Sequence, residues 1–249
     1  MKLIVNEDYS PKKKELIGII NNLKNRGRDI STGKRNVLKV IDFEGQEINI
    51  KAFQIPNLIN RVAYRFFRKS KAERSYNYAR ELINRGINTP APIAYAEETT
   101  SLSLEKSYYI SEHLDYDLTF RDLDLRKSGH EEILRAFTRF TFELHEKNIQ
   151  FLDHSPGNTL IKISAEGYKF YLVDLNRMNF KSLNFSERMQ NFKRLSRDKA
   201  IYEIMAEEYA RLAKQPSLLI FEKMWHFNQS FFAKRQKKRN FKNKLLKKS

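Results

Sequence analysis

Residues 151–178 read FLDHSPGNTLIKISAEGYKFYLVDLNRM, and the rhythm of this stretch decides the fold. Asp153 and Asn158 stand in one loop with three turn formers between them, Ser155, Pro156 and Gly157. Residues 159–163 then carry a strand-like pattern, Ala165-Glu166-Gly167 forms a turn, and residues 168–173 are strand-like again. A hairpin therefore follows the loop and delivers Asp174 at the end of the apolar run Tyr171-Leu172-Val173. Just upstream, Ile133, Leu134, Phe137, Phe140 and Leu144 recur at the spacing of one buried helix face, and Asn148 ends that segment. The spacing predicts a loop gripped between a buried helix and a hairpin.

Working outward, residues 12–24 have helical spacing after Pro11, with Leu16, Ile17, Ile19, Ile20 and Leu23 as the apolar set. The rhythm then changes to strands at 37–43 and 47–54 around the turn Glu44-Gly45-Gln46, with an earlier strand around 28–32 and a tight turn at Gly33. Residues 70–85 read as a helix stopped by Gly86. Residues 88–92 (NTPAP) read as an extended connector, because each proline biases its predecessor away from helix. A further strand pair is expected at 102–104 and 107–111, and helices are expected after Ser186 as an N-cap. The expected class is α+β, a single bilobal domain. A strand-rich N-terminal lobe covers about 1–114, a helical C-terminal lobe about 115–232, and a basic tail 233–249, with a hinge near 112–119.

Composition bounds what such a domain does. The 249 residues are 41% hydrophobic and 12% aromatic, too apolar for a disordered chain. There is no cysteine, so neither a disulfide framework nor a thiolate metal site exists. The five histidines lack metal-ligand spacing, which argues against zinc. The longest apolar runs are four or five residues, too short to span a bilayer, and the first eight residues do not resemble a secretory signal. A cytoplasmic protein is expected. The net charge is +17, and residues 233–249 hold nine Lys or Arg and no acid. A second basic cluster, 61–74, is interleaved with Tyr64, Phe66 and Phe67. Both clusters suit polyanions, and an anionic membrane leaflet and nucleic acid are the two usual ones.

The loop and hairpin hold the residue types that metal-assisted phosphoryl transfer needs. One carboxylate lies near the attacking hydroxyl, while an amide oxygen and a second carboxylate hold Mg²⁺ against phosphates. The order D-x4-N, hairpin, apolar-apolar-D is the layout of the catalytic and metal loops in the protein-kinase-like fold. In that fold a strand lysine grips the α- and β-phosphates and a glutamate on the next helix pairs with it. Lys51 in Ile48-Asn49-Ile50-Lys51 and Glu73, 22 residues later, stand in that order.

From about Thr32 to Phe180 the sequence resembles the Kdo/WaaP-type lipopolysaccharide kinases. The resemblance rests on Ile50-Lys51, Glu73, the connector 86–92, Tyr109-Ile110-Ser111-Glu112, Asp153 through Asn158, and Val173-Asp174-Leu175-Asn176-Arg177. The Asp-Leu-Asn-Arg ending is especially telling, since protein kinases carry a glycine two residues after this aspartate. The resemblance implies transfer of the ATP γ-phosphate, with Mg²⁺, to a sugar hydroxyl of the lipopolysaccharide inner core, with Kdo on a lipid A precursor as the expected acceptor.

Asp153 would then be the base, Asn158 and Asp174 the metal ligands, Lys51 the phosphate grip and Glu73 its partner. Gly33 and Lys34 would line the phosphate loop, and His154 and Arg177 would approach substrate. Such an acceptor implies work at the inner membrane, docked there by the basic tail. Two features depart from the kinase pattern: Phe151 and Leu152 replace the usual His or Tyr and Arg before Asp153, and the phosphate loop has only Gly33. Two rival readings are an atypical Ser/Thr kinase or small-molecule phosphotransferase, and a non-catalytic nucleic-acid-binding protein on the same fold.

Overall fold

The computed structural model describes residues 1–30, 36–54 and 57–246 and divides into two units, residues 1–115 with 172–176, and residues 116–171 with 177 onward. The first unit contains β1 (Lys2–Val5), α1 (Lys13–Asn21), β2 (Arg28–Asp29), β3 (Asn36–Phe43), β4 (Gln46–Phe53), α2 (Leu58–Phe66), α3 (Lys71–Asn84), β5 (Pro92–Thr99) and β6 (Leu104–Glu112). Its six strands form one antiparallel sheet in the order β1-β5-β6-β4-β3-β2. Leu16, Ile19 and Ile20 of α1 pack on Ile41, Ile48, Ile50, Ile93 and Ile110 across one face.

Successive strand residues face opposite sides, so Lys51 and Phe53 turn away from that core. On their side Phe53 packs with Ala72 and Tyr76 of α3 and with Tyr95. The β3–β4 turn has Glu44 at φ 55° and Gly45 at φ 79°, the left-handed pair that a tight two-residue hairpin needs. Ser70 caps α3, its Oγ accepting from the Glu73 N–H at 3.0 Å, and Gly86 at φ 69° ends it as expected.

Several expectations need correction. The partner of the strand at 104–112 is β5, starting within the supposed connector, while 100–103 is the turn between them, closed by the Thr100 N–H donating to the Ser103 carbonyl at 2.9 Å. Ile93-Ala94-Tyr95-Ala96 is buried on both faces, so it shows no alternation to read. β1 and α2 were also not visible: β1 has only four residues, and α2 leaves its apolar side chains outside.

The second unit contains β7 (Leu118–Thr119), α4 (His130–Glu146), β8 (Ile149–Phe151), β9 (Thr159–Ser164), β10 (Gly167–Leu172, whose last residue belongs to the first unit), β11 (Met178–Phe180), α5 (Phe185–Asn191), α6 (Lys199–Ala213) and α7 (Ser217–Leu246). The predicted hairpin is β9–β10, flanked by β7, and β8 pairs with β11. Phe137, Phe151, Phe192, Tyr202 and Tyr209 are fully buried at its centre. The cap of α5 is Asn184 rather than Ser186: Asn184 Oδ1 accepts from the Glu187 N–H (2.9 Å) while the Glu187 carboxylate accepts from the Asn184 N–H (3.1 Å). α7 runs through residues 232 and 233 without a break, so the basic segment as far as Leu246 is helical. The side chains of Leu245 and Leu246, the last three residues, and Gly33 and Lys34 lie outside the described residues. No helix among the described residues is long and apolar enough to cross a membrane.

Candidate active site

Each unit carries one carboxylate in a built setting. In the first unit, residues 172–176 are fastened to the 88–89 connector: the Leu172 N–H donates to the Asn88 carbonyl at 3.0 Å, and Thr89 Oγ1 donates to the Leu172 carbonyl at 2.7 Å. Leu175 is buried beside them. Asp174 between these anchors has φ 59°, a left-handed conformation rare for a residue with a side chain, and such strain collects at functional sites. The turn brings its Oδ1 to 2.7 Å from Lys51 Nζ and 2.6 Å from Asn176 Nδ2. Lys51 also lies over the Phe53 ring, 5.5 Å from its centre. The strand lysine is thus held beside the hairpin aspartate.

It is not held beside Glu73. Among the described residues no ion pair joins Lys51 to Glu73; the Glu73 carboxylate meets Lys69 at 3.6 Å. The cap explains this, because Ser70 fixes Glu73 in the first turn of α3, where Lys69, four residues back, reaches it.

In the second unit, Asp153 sits at the head of the loop predicted to carry chemistry. Its carboxylate is paired with Arg194, whose guanidinium lies over the Phe231 ring of α7 at 5.7 Å. Arg194 was not visible in the sequence, because it comes 41 positions later in the α5–α6 connection with no motif around it. Asn158 Nδ2 donates to the Asp153 carbonyl at 2.8 Å, and among the described residues no hydrogen bond reaches its amide oxygen. An amide oxygen and a carboxylate are hard donors. Mg²⁺ takes few protein oxygens and keeps water and phosphate for the rest; among the described residues no group of three or more His, Cys, Asp or Glu could hold a metal ion.

The loop is braced from inside. Phe151, where the kinase pattern has His or Tyr, is fully buried, and its carbonyl accepts from Asn191 Nδ2 at 2.7 Å. Asn191 Oδ1 lies 3.1 Å from His145 Nε2, and His145 Nδ1 lies 2.9 Å from the Tyr209 hydroxyl. Burial holds His145 neutral by lowering its pKa to about 4. The Nε2–H then donates to Asn191 while Nδ1 accepts from Tyr209.

His154, expected near substrate, is instead fully buried among Phe137, Phe151 and Phe192. Desolvation lowers its pKa to about 3, and both ring nitrogens are without hydrogen-bond partners. It packs as a neutral ring because its direction in the loop is inward. Arg177 is exposed; its carbonyl accepts from the Leu152 N–H at 3.1 Å. Lys193 has a pKa lowered by burial and then by the positive charges of Arg194, Arg177 and Lys234. The surroundings of Asp153 are therefore cationic.

Comparison with known proteins bears on the family and the fold. The sequence profile of the lipopolysaccharide kinase (Kdo/WaaP) family matches residues 30–216. Among solved structures, WaaP in complex with acyl carrier protein is similar at TM-score 0.63 and 15% identity, covering 95% of this chain and 99% of that one. A Rio2 kinase–ADP/Mg²⁺–phosphoaspartate complex from Chaetomium thermophilum aligns at TM-score 0.49 and 13% identity, over 90% of this chain and 76% of that one. No curated protein matches the sequence. The profile covers well over half of the sequence, and the chain belongs to the lipopolysaccharide kinase (Kdo/WaaP) family, a phosphotransferase with the kinase-like fold.

Proposed function

We propose that this lipopolysaccharide kinase transfers the γ-phosphate of ATP to a sugar hydroxyl of the inner core, with Kdo on a lipid A precursor as the acceptor. The observation that carries the reading is the Lys51–Asp174 pair at 2.7 Å on a left-handed turn, because it sets a phosphate-gripping cation beside a metal-binding carboxylate. Asp153 accepts the acceptor hydroxyl proton as the oxygen attacks the γ-phosphorus; the bond from that phosphorus to the β-phosphate oxygen breaks, and ADP leaves. Asp174 and the Asn158 amide oxygen would hold Mg²⁺, which neutralises phosphate charge when bound. Arg194 orients Asp153, and Phe231 steadies Arg194 by stacking. Arg177 and Lys193 favour an acceptor bearing carboxylate or phosphate, as Kdo does. Positioning and charge neutralisation then supply most of the rate.

The reading places the protein in the cytoplasm at the inner-membrane surface, with the cationic end of α7 attracted to anionic lipid. Nucleic acid, the other polyanion, is disfavoured by the family. The test is purified protein with ATP, Mg²⁺ and a Kdo–lipid A precursor, followed by mass spectrometry. Gain of one phosphate on Kdo supports the reading, and phosphate found only on a protein or a small soluble sugar would replace the acceptor.

A further inference from the structure

Helix α2 has its apolar side on the outside. Ile59, Val62 and Phe66, at positions i, i+3 and i+7, occupy one face and are all exposed, and Phe67 follows at the end of the helix. Ile59 and Phe67 each retain 82% of their surface in water. The helix is tethered to the β5–β6 hairpin along its flank: Arg61 pairs with Glu105, and Arg65 Nε donates to the Thr100 carbonyl at 3.2 Å. The orientation is therefore fixed by polar contacts that leave four large apolar side chains exposed, with Phe66 and Phe67 meeting edge to face at 6.3 Å and the Arg65 guanidinium lying over the Phe66 ring at 5.6 Å.

The charge around this face is one-sided. Residues 57–72 contain Arg61, Arg65, Arg68, Lys69 and Lys71 and no acid. Beside the helix lies an open hollow of about 350 Å³, whose lining includes Phe66 and Phe67, the cations Arg65, Arg68, Lys69 and Lys2, and the acids Glu73 and Glu97. Those two acids are met by Lys69 (3.6 Å) and Lys2 (3.7 Å), leaving Arg65 and Arg68 in excess. An exposed apolar stripe beside cations is the pattern of a helix lying in a membrane interface, where the side chains enter the acyl boundary and the cations meet headgroup phosphates. A folded acidic protein would match the charge, but Ile59 and Phe67 project outward with 82% of their surface in water, and the hollow that Phe66 and Phe67 line is open and mostly ringed by charged side chains. A fluid bilayer moulds around such projections.

We propose that α2 is a membrane-inserting surface, with Ile59, Val62, Phe66 and Phe67 entering an anionic bilayer and Arg65, Arg68 and Lys69 engaging lipid phosphates. This site is separate from the cationic end of α7 and does not depend on the identity of the acceptor.

The chain has no cysteine, so the full-length Phe67→Cys variant takes a single environment-sensitive dye. The Glu166→Cys variant, on the β9–β10 turn with a side chain 82% exposed, serves as the control. With vesicles of phosphatidylcholine and anionic phosphatidylglycerol, emission at position 67 should shift to the blue while position 166 stays unchanged. The unlabelled double variant Ile59→Glu, Phe67→Glu should bind these vesicles about tenfold more weakly with its circular dichroism unchanged. If vesicles bind but the dye at position 67 keeps its aqueous emission, another surface docks the protein and the proposal is overturned. A response to poly-glutamate in place of vesicles overturns it equally, in favour of a protein partner.

Discussion

Asp174 and Asp153 are each held by one basic side chain, but the two pairs are assembled by different means. Lys51 reaches Asp174 from a strand whose alternation fixes its direction, and the aspartate is set by a left-handed turn that follows the doubly hydrogen-bonded backbone of Leu172. Arg194 reaches Asp153 from an irregular connection, and its direction is set by the Phe231 ring on a distant helix. The first pair is made by local geometry and the second by packing, so the first should tolerate surface changes and the second should respond to α7. The difference also matches the proposed roles: a cation beside the carboxylate proposed to bind metal prepares for phosphate, whereas a cation on the proposed base fixes the direction of its carboxylate.

The largest effects should distinguish the two aspartates. Asp174→Ala should reduce Mg²⁺-dependent turnover more than about a thousandfold, because the charge stabilisation of the transferred phosphoryl depends on the metal it holds. Asp153→Ala should leave ATP affinity near wild type while kcat drops roughly 10²–10⁴-fold, the usual range for a general base. Isothermal titration with ATP and Mg²⁺ beside steady-state kinetics reads both, and equal kcat in wild type and either variant would refute the assignment.

Arg194→Met tests the second pair. We expect kcat to fall about tenfold with ATP affinity near wild type, since the carboxylate loses the side chain that orients it. Arg194→Lys should restore part of the rate. A kcat identical to wild type would leave Arg194 as a structural contact only.

A third comparison concerns the two buried histidines. Their native pKa values, about 4 for His145 and about 3 for His154, lie below the ordinary 6.5. The unfolded chain therefore binds protons first on acidification, and stability present above about pH 6.5 is lost as pH falls through the native values. The loss at pH 5 is about 2 kcal/mol per histidine. His154→Leu should flatten the urea-measured stability between pH 6.5 and 5 by that amount, with turnover retained because the ring touches no substrate. An unaltered slope would mean that the ring is not held neutral by burial.

The smallest effect belongs to Glu73. Its pair with Lys69 is largely exposed on the lysine side, so Glu73→Gln should change stability by less than about 1 kcal/mol. A thermal melt reads this, and a loss near that of Asp153→Ala in turnover would restore Glu73 as a catalytic partner in a rearranged state.

Much of the fold was legible because its signals are local. The alternation of β3, β4 and β9, the one-faced pattern of α4 and the Ser70 and Gly86 stops of α3 each act over a few residues. β5 was hidden because burial on both faces removes the alternation that marks a strand, and α2 because its apolar side faces out. The loop of Asp153 and Asn158, the hairpin to Asp174 and the strand lysine Lys51 were readable as spacing along the chain.

The direction of each side chain was not. Whether Lys51 meets Glu73 or Asp174, whether His154 faces substrate or core, and which cation sits on Asp153 depend on contacts between residues tens of positions apart. Sequence alone determined the order of chemical groups and the class of element carrying each, because backbone hydrogen bonding and side-chain periodicity are short-ranged. Only the tertiary structure decided the pairings, because a charge or ring settles against whichever distant neighbour packing brings within a few ångströms.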